Sequence, residues 1–284
     1  NLKQVTPSPY GTVALLFLDD KIRFLDWSIT PPVPLLAFSR PLNATMANNF
    51  YVIPNPYDEG DYNRWTISLV KQVKTPFHER KNQIVWRGAI HYEAETSRIK
   101  LLEMAKDAST AKWLNFGVSK AANEGNRIEI PQQPEFRYQL DIGGISGTTW
   151  GAMRWKMCSG SLVFKVDTWA KDWWHDRIEP WKHYVPVKED LSDLYERWQW
   201  AENNPEKAFE ITKAGVAVCE ETATKESIGE FYKTIVDHLP PASEALAKEA
   251  DMILDGSIGT KCKLTSRPED STSDYKPEWA FGGG

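Results

Sequence analysis

The chain has 284 residues, of which 41% are hydrophobic and 26% charged. These are globular proportions and exclude wholesale disorder. Thirty-nine acidic residues against 34 basic ones give a net charge of −5. Proteins that live on phosphate backbones carry a basic excess, so nucleic acid is disfavoured as the main partner. No window approaches the roughly 18 consecutive apolar residues of a membrane helix, so no membrane span is expected. Asn1-Leu2-Lys3-Gln4 carries no apolar signal core.

In chain order, Val13-Ala14-Leu15-Leu16-Phe17-Leu18 is a continuous apolar run ended by Asp19-Asp20 and predicts a buried parallel strand. After Pro31-Pro32-Val33-Pro34, the stretch Leu35 to Ser39 predicts a second. Pro41 to Tyr62 is rich in Asn, Pro and Gly and reads as loop. Arg64 to Val73 has helical spacing. Ile84-Val85-Trp86 is a predicted strand running into Arg87-Gly88-Ala89, and Ser97 to Lys106 a predicted helix. Phe136 to Ile142 alternates as a strand and ends in Gly143-Gly144. Then follow a helix over Trp150 to Cys158, a strand over Ser161 to Lys165, a short aromatic helix over Asp172 to Ile178 and a strand over His183 to Val187. Leu191 to Glu202, Pro205 to Glu220, Ile228 to His238 and Ala242 to Leu254 read as helices, the second with Pro205 in its first turn. From Thr260 onward the composition is polar.

Strands alternating with helices predict an α/β protein with one or two mainly parallel sheets, one group ending near residue 80 and one running from about 84 to 215. In such sheets ligands sit beyond the carboxyl ends of the strands. That rule points to Asp19-Asp20, Arg87-Gly88, Asp141 with Gly143-Gly144, and the segment after Phe164.

Each of these has a plain structural role and a chemical one. An Asp after a strand commonly caps a turn, but a carboxylate whose pKa is lifted there serves as a general base. Arg87-Gly88 and Arg98 surround a strand, a glycine and a helix start, where amide N–H groups face an anion and an Arg can fork two phosphate oxygens. Gly143-Gly144 through Gly151 forms a second such turn, with Arg154 and Lys156 on the following helix. Neither phosphate-loop fingerprint nor nucleophile elbow is present. No D-x-D occurs, which favours protein cations over a divalent metal at a diphosphate. Cys158, Cys219 and Cys262 are widely spaced, odd in number and lack a C-x-x-C, which argues against a disulfide scaffold and fits a reducing compartment. The five histidines are scattered and predict no zinc site. Of 13 tryptophans, eight fall between Trp150 and Trp200. Most are expected in the core, with one or two on a surface that stacks a ring.

The run Leu140-Asp141-Ile142-Gly143-Gly144, then Gly160-Ser161-Leu162-Val163-Phe164-Lys165, then Pro180-Trp181-Lys182-His183-Tyr184-Val185-Pro186-Val187 resembles glycosyltransferase family 90. This group includes the protein O-glucosyltransferases and fungal capsule xylosyltransferases. Trp86-Arg87-Gly88-Ala89 with Arg98 matches as well, and the resemblance covers roughly residues 13 to 220. It implies a GT-B fold, two Rossmann-like domains with a cleft between them: an acceptor-side domain over 1–82, a nucleotide-sugar domain over 83–220, and C-terminal helices over 221–284 packing back on the first. It further implies a UDP-sugar donor, inversion at the anomeric carbon and no obligatory metal cofactor.

The family's catalytic Asp matches Asp20, with Asp19 in reserve. Its diphosphate Arg matches Arg98. Donor contacts are expected at Arg87, Gly88, Arg98, Asp141, Gly143, Gly144, Arg154, Ser161 and Phe164. Ala89 stands where many members carry a hydroxyl residue, and Ala152 where many carry an Arg. The compact, cysteine-poor build resembles members carried by large algal viruses, which implies a cytoplasmic location and xylose as the transferred sugar. The expected acceptor is a hydroxyl of a glycan or glycoprotein. The alternatives are a UDP-glucose-dependent glucosyltransferase, or a carbohydrate- or nucleotide-binding module without catalysis.

Overall fold

A computed structural model of the chain describes residues 2–5, 14–17, 31–42, 46, 49–59, 61–90, 96–118, 128–144 and 146–254. The first sheet contains β1 (Leu2–Val5), β2 (Ala14–Phe17), β3 (Leu35–Ala37) and, beyond the two-residue β4 (Arg40–Pro41), β5 (Phe50–Val52). Its order is β1-β2-β3-β5, with β1 antiparallel to β2 and the other pairs parallel. Within the apolar run that predicted β2, Ala14 and Leu15 are buried and Leu16 is half-buried.

Part of the segment that reads as loop is ordered. Phe50–Val52 is a strand, and α1 (Pro56–Glu59) and α2 (Asp61–Val70) follow. A three-residue strand is too short to show a period. The local signals are single residues. Asn49 takes φ 59°, a left-handed turn that Asn tolerates. The Asn55 side chain accepts from the amides of Tyr57 at 3.0 Å and Asp58 at 3.2 Å, satisfying the start of α1, with Pro56 as its first residue.

The second sheet contains β6 (Lys81–Gly88), β7 (Leu114–Val118), β8 (Phe136–Asp141), β9 (Leu162–Val166) and β11 (Val185–Val187), ordered β11-β9-β8-β6-β7 and parallel throughout. Helices α3 (Thr96–Ala105), α4 (Gly151–Cys158), α5 (Leu194–Asn203), α6 (Pro205–Thr222) and α7 (Lys225–His238) accompany it. Alternation along β9 shows both faces in use. Leu162 and Phe164 join the cluster of Ile84, Leu101, Leu140 and Ile211, whereas Val163 joins Met153, Trp173, Trp174 and Ile228. Strand β7 was not anticipated, because Asn115 and Gly117 interrupt its apolar pattern. Gly117 leaves room for the Arg87 side chain, whose Nε would lie 2.8 Å from a Cβ there. The aromatic segment Asp172 to Ile178 is not a helix beyond one 3-10 turn, His175–Arg177. Its Trp173 and Trp174 are buried in the core instead.

A further correction concerns the cysteines. Cys158 and Cys219 form a disulfide with a Cα–Cα distance of 5.5 Å, across 61 residues of sequence. Helices α4 and α6 pack side by side and bring together thiols whose spacing carries no such information. The cysteine pattern therefore gives no ground for a reducing compartment. Among the described residues no helix is long and apolar enough to cross a membrane.

The two sheets meet at their carboxyl edges. β4 pairs antiparallel with β10 (Ala170–Lys171), Pro41 opposite Ala170. Ser39 Oγ donates to the Ser146 carbonyl at 3.3 Å, and the Leu42 amide to the Trp169 carbonyl at 3.0 Å. Helix α8 (Glu244–Leu254) lays Leu246, Ala247, Ala250 and Ile253 against Leu15, Val33 and Leu35 of the first sheet.

Candidate ligand crevice

In sequence order the second sheet's strands stand 2-1-3-4-5, so the chain reverses direction between β6 and β8. Loops leaving two such neighbouring strands diverge and open a crevice. A pocket lies there. It is lined by Ser97 and Arg98 at the start of α3, by Ile142, Gly143, Gly144 and Gly147 after β8, by Val166 to Trp169 at the end of β9, and by Glu189 after β11.

Arg98 straddles the reversal. Its Nη1 donates to the Ala89 carbonyl beyond β6 at 2.8 Å and its Nη2 to the Ile142 carbonyl beyond β8 at 3.0 Å. The guanidinium also lies 5.7 Å from the Trp86 ring, which stacks on Phe116. A fixed positive charge and the amino end of α3 thus share one wall, an arrangement suited to an anion. Asp167 and Glu189 line the same pocket, and carboxylates accept from hydroxyls.

The glycine turn is a steric necessity. A Cβ on Gly143 would fall 2.4 Å from the Gly147 carbonyl oxygen. The turn closes through Gly147 N to Gly144 O and Gly144 N to Thr148 O, both 2.9 Å, with Gly147 at φ +77°.

The other sequence-predicted residues stand elsewhere. Gly88 ends β6 against the Trp86 ring. Arg87 reaches across to β7, with Nη1 donating to Asn115 O at 2.8 Å and Nη2 to Asn115 Oδ1 at 2.6 Å. Asp141 ends β8 and accepts from Lys156 Nζ at 2.9 Å and Thr149 Oγ1 at 2.8 Å, which ties the strand to α4. Arg154 is 1% exposed, pairs with Asp58 of α1 at 2.8 Å and lies 5.0 Å from the Trp173 and Trp174 rings. Ser161 precedes β9, at the opposite edge of the sheet, and bonds Phe136 O and Arg80 Nη1. Phe164 is buried mid-strand, edge-on to Tyr138. The structure therefore gathers Arg98, Gly143 and Gly144 at the pocket, flanks them with Gly88 and Asp141, and does not bring Arg154, Ser161 or Phe164 there. Asp19 and Asp20 lie outside the described residues. β2 runs parallel to β3, so its carboxyl end at Phe17 shares an edge with Ala37. Ser97, Asp167, Thr168, Trp169 and Glu189 were not singled out one by one in the sequence, although the strand-end rule reaches them.

Behind the turn is a buried polar cluster. Burial pushes the Asp172 carboxyl well above its usual range, reinforced by Asp58 and Asp141 and opposed by Thr148 and Arg154. Burial pushes His175 well below its usual range, with Lys165 and Arg154 adding to the effect. Both shifts favour the neutral form. Among the described residues no three His, Cys, Asp or Glu side chains converge on a metal site.

The class these features define is an α/β protein with a crevice at the carboxyl ends of a parallel sheet. Residues 60–239 match the family Glycosyl transferase family 90, more than half of the sequence, and the chain belongs to that family. Protein O-glucosyltransferase 3 of Homo sapiens is 32% identical over 141 residues, 49% of this chain and 25% of that protein. O-glucosyltransferase LpsA of Dichelobacter nodosus is 27% identical over 207 residues, 67% of this chain and 57% of that protein. An uncharacterized protein of Invertebrate iridescent virus 6 is 26% identical over 154 residues, 51% of this chain and 13% of that protein. The chain thus spans less than two thirds of the length of each of these relatives.

Proposed function

We propose that the chain carries the catalytic core of an inverting glycosyltransferase that moves a sugar from a UDP-sugar to a hydroxyl of a glycan or glycoprotein acceptor. The observation that carries this reading is Arg98, fixed across the chain reversal by two carbonyls in a protein of this family. In this reading the folding plan is GT-B. The sheet over 83–220 holds the nucleotide, the part over 1–82 faces the acceptor, and the helices over 221–284 close back on the first part.

Asp20, or Asp19 in its place, accepts the acceptor's proton as the hydroxyl oxygen bonds to the anomeric carbon. The bond from that carbon to UDP breaks through an oxocarbenium-like state. Arg98 and the amino end of α3 offset the charge on departing UDP, the task a divalent metal performs elsewhere, so no metal is needed in this scheme. Asp167 and Glu189 accept from hydroxyls of the ribose or the sugar.

The name O-glucosyltransferase carried by the relatives favours glucose. The resemblance to compact viral members favours xylose and is kept as the second reading. The two sugars differ by one CH₂OH group, which a pocket lacking contacts for it discriminates only about 10–200-fold, whereas a closed pocket excludes it. UDP release measured over a panel of UDP-sugars, with and without EDTA, tests the proposal. Sugar-dependent UDP release that survives EDTA is expected. UDP binding without turnover of any donor would assign the chain to a non-catalytic module.

A further inference from the structure

Aromatic rings run without a break from the end of β3, beside the glycine turn, to solvent. Phe38, one residue past the end of β3, meets Trp150 edge-on at 5.7 Å. Trp150 meets Tyr57 at 5.7 Å, Tyr57 meets Tyr62 at 5.3 Å, and Tyr62 meets Trp65 at 6.2 Å. Exposure rises along this path, from 9% at Phe38 to 45% at Tyr62 and 57% at Trp65.

The path starts beside the glycine turn that lines the pocket. Trp150 comes three residues after Gly147 of that turn and holds φ at 49°, a strained value for a bulky residue. Its Nε1 is buried and makes no hydrogen bond. The position of α2 is also fixed against this region. A Cβ on Gly151, the first residue of α4, would meet Asn63 Oδ1 at 2.3 Å, so the first turn of α2 lies on the amino end of α4. Tyr62 and Trp65 stand at i and i+3 on the outer face of α2, whereas Asn63, Thr66 and Val70 are buried. Folding alone does not call for two large rings on that face.

We infer that Tyr57, Tyr62 and Trp65 form an acceptor subsite on which the sugar rings of a glycan stack. This inference rests on the transferase reading above and names its acceptor class. Among the described residues from 51 to 70, the exposed large apolar side chains are Tyr62 and Trp65, with Pro56 and Ser68 as exposed neighbours. A stable protein partner needs about 800 Å² on each side, on the order of 20–30 residues, and the inference uses two exposed rings. Successive rings are tilted by 48° to 60°, so they present separate faces rather than one slab. The apolar face of a pyranose stacks on such a ring while its hydroxyls stay in water.

The test titrates the whole chain with cellohexaose, maltohexaose and xylohexaose by calorimetry, with UDP titrated separately. At least one hexaose binds the unaltered protein. Its affinity falls about three- to tenfold in Trp65→Ala, the scale of one lost stacked ring, and recovers in Trp65→Tyr. UDP affinity and the thermal midpoint stay unchanged in both variants. Absence of binding by all three hexaoses, or equal binding by Trp65→Ala, overturns the inference. Self-association in sedimentation that Trp65→Ala abolishes would assign the rings to a second copy and overturn it as well. Loss of UDP binding by the unaltered protein would sink the donor reading while leaving the hexaose result to stand by itself.

Discussion

Arg98 Nη2 donates to the Ile142 carbonyl at 3.0 Å, tying the start of α3 to the end of β8 across the crevice. The bond fixes a guanidinium where two loops part, before any ligand arrives. Ordering of that side chain is then no longer part of the cost of binding, which is how a preorganised site gains affinity.

Replacing the proposed base is the first prediction. Asp20→Asn keeps the fold and the affinity for UDP and lowers transfer by about 10²–10⁴-fold, the usual contribution of a general base. Transfer kinetics beside UDP calorimetry check this. Normal transfer by Asp20→Asn with loss in Asp19→Asn moves the role to Asp19. Activity in both variants refutes the mechanism.

Gly143→Ala should damage the crevice from within. The new Cβ lies 2.4 Å from the Gly147 carbonyl oxygen, backbone that cannot yield without opening the turn. Overpacking of this kind costs about 1–3 kcal/mol. A lower thermal midpoint together with weaker UDP binding is expected. An unchanged midpoint would show that the turn is not the tight loop described.

The disulfide gives a stability prediction. Cys158 and Cys219 close 61 residues of chain, and loops of that order contribute about 2–4 kcal/mol on cross-linking. Urea unfolding with and without reductant measures it. The reduced protein and the Cys158→Ser/Cys219→Ser variant should share a lower midpoint. Coincident curves in the oxidised and reduced protein would contradict the bond.

The buried cluster sets a pH dependence. His175 is held well below its ordinary 6.5 by burial, so the unfolded chain binds a proton that the folded one refuses. The stability from its neutral burial is present above about pH 6.5 and is lost as pH falls toward the folded-state pKa. Asp172, raised by burial, has the opposite slope: its contribution is fullest below its ordinary 3.8 and is lost as pH rises. The difference in unfolding free energy between the unaltered protein and His175→Gln should therefore shrink from pH 7 to pH 5. A pH-independent difference would show that the folded and unfolded chains bind protons at His175 alike, against the depression by burial.

What the sequence disclosed follows the range of each signal. The apolar runs at Leu15 and Val163 and the helix at Arg98 are local patterns, and a local pattern survives in one dimension. The glycine turn at Gly143 was legible because a strand end followed by Gly-Gly has few structural uses. Arg154 illustrates what was not. Its partner Asp58 lies on another helix far away in sequence, and nothing beside Arg154 distinguishes a buried ion pair from a ligand clamp. Ser161 and Phe164 belong to a strong family signature. Within this structure their contacts are packing and strand-start hydrogen bonds, so a signature can report what holds the sheet as well as what touches a ligand. Strand β7 and the Cys158–Cys219 bond depend wholly on contacts that folding creates.

The central claim is that the crevice at the reversal between β6 and β8 holds the diphosphate of a UDP-sugar through Arg98. Calorimetric titration of UDP in EDTA, on the unaltered protein and on Arg98→Ala, tests it most directly. The account predicts saturable binding to the former and a loss of about 1.5–3 kcal/mol in the variant, the scale of a hydrogen bond to a charged group. Equal affinity in the two proteins, or binding that appears only when a divalent metal is restored, would contradict it.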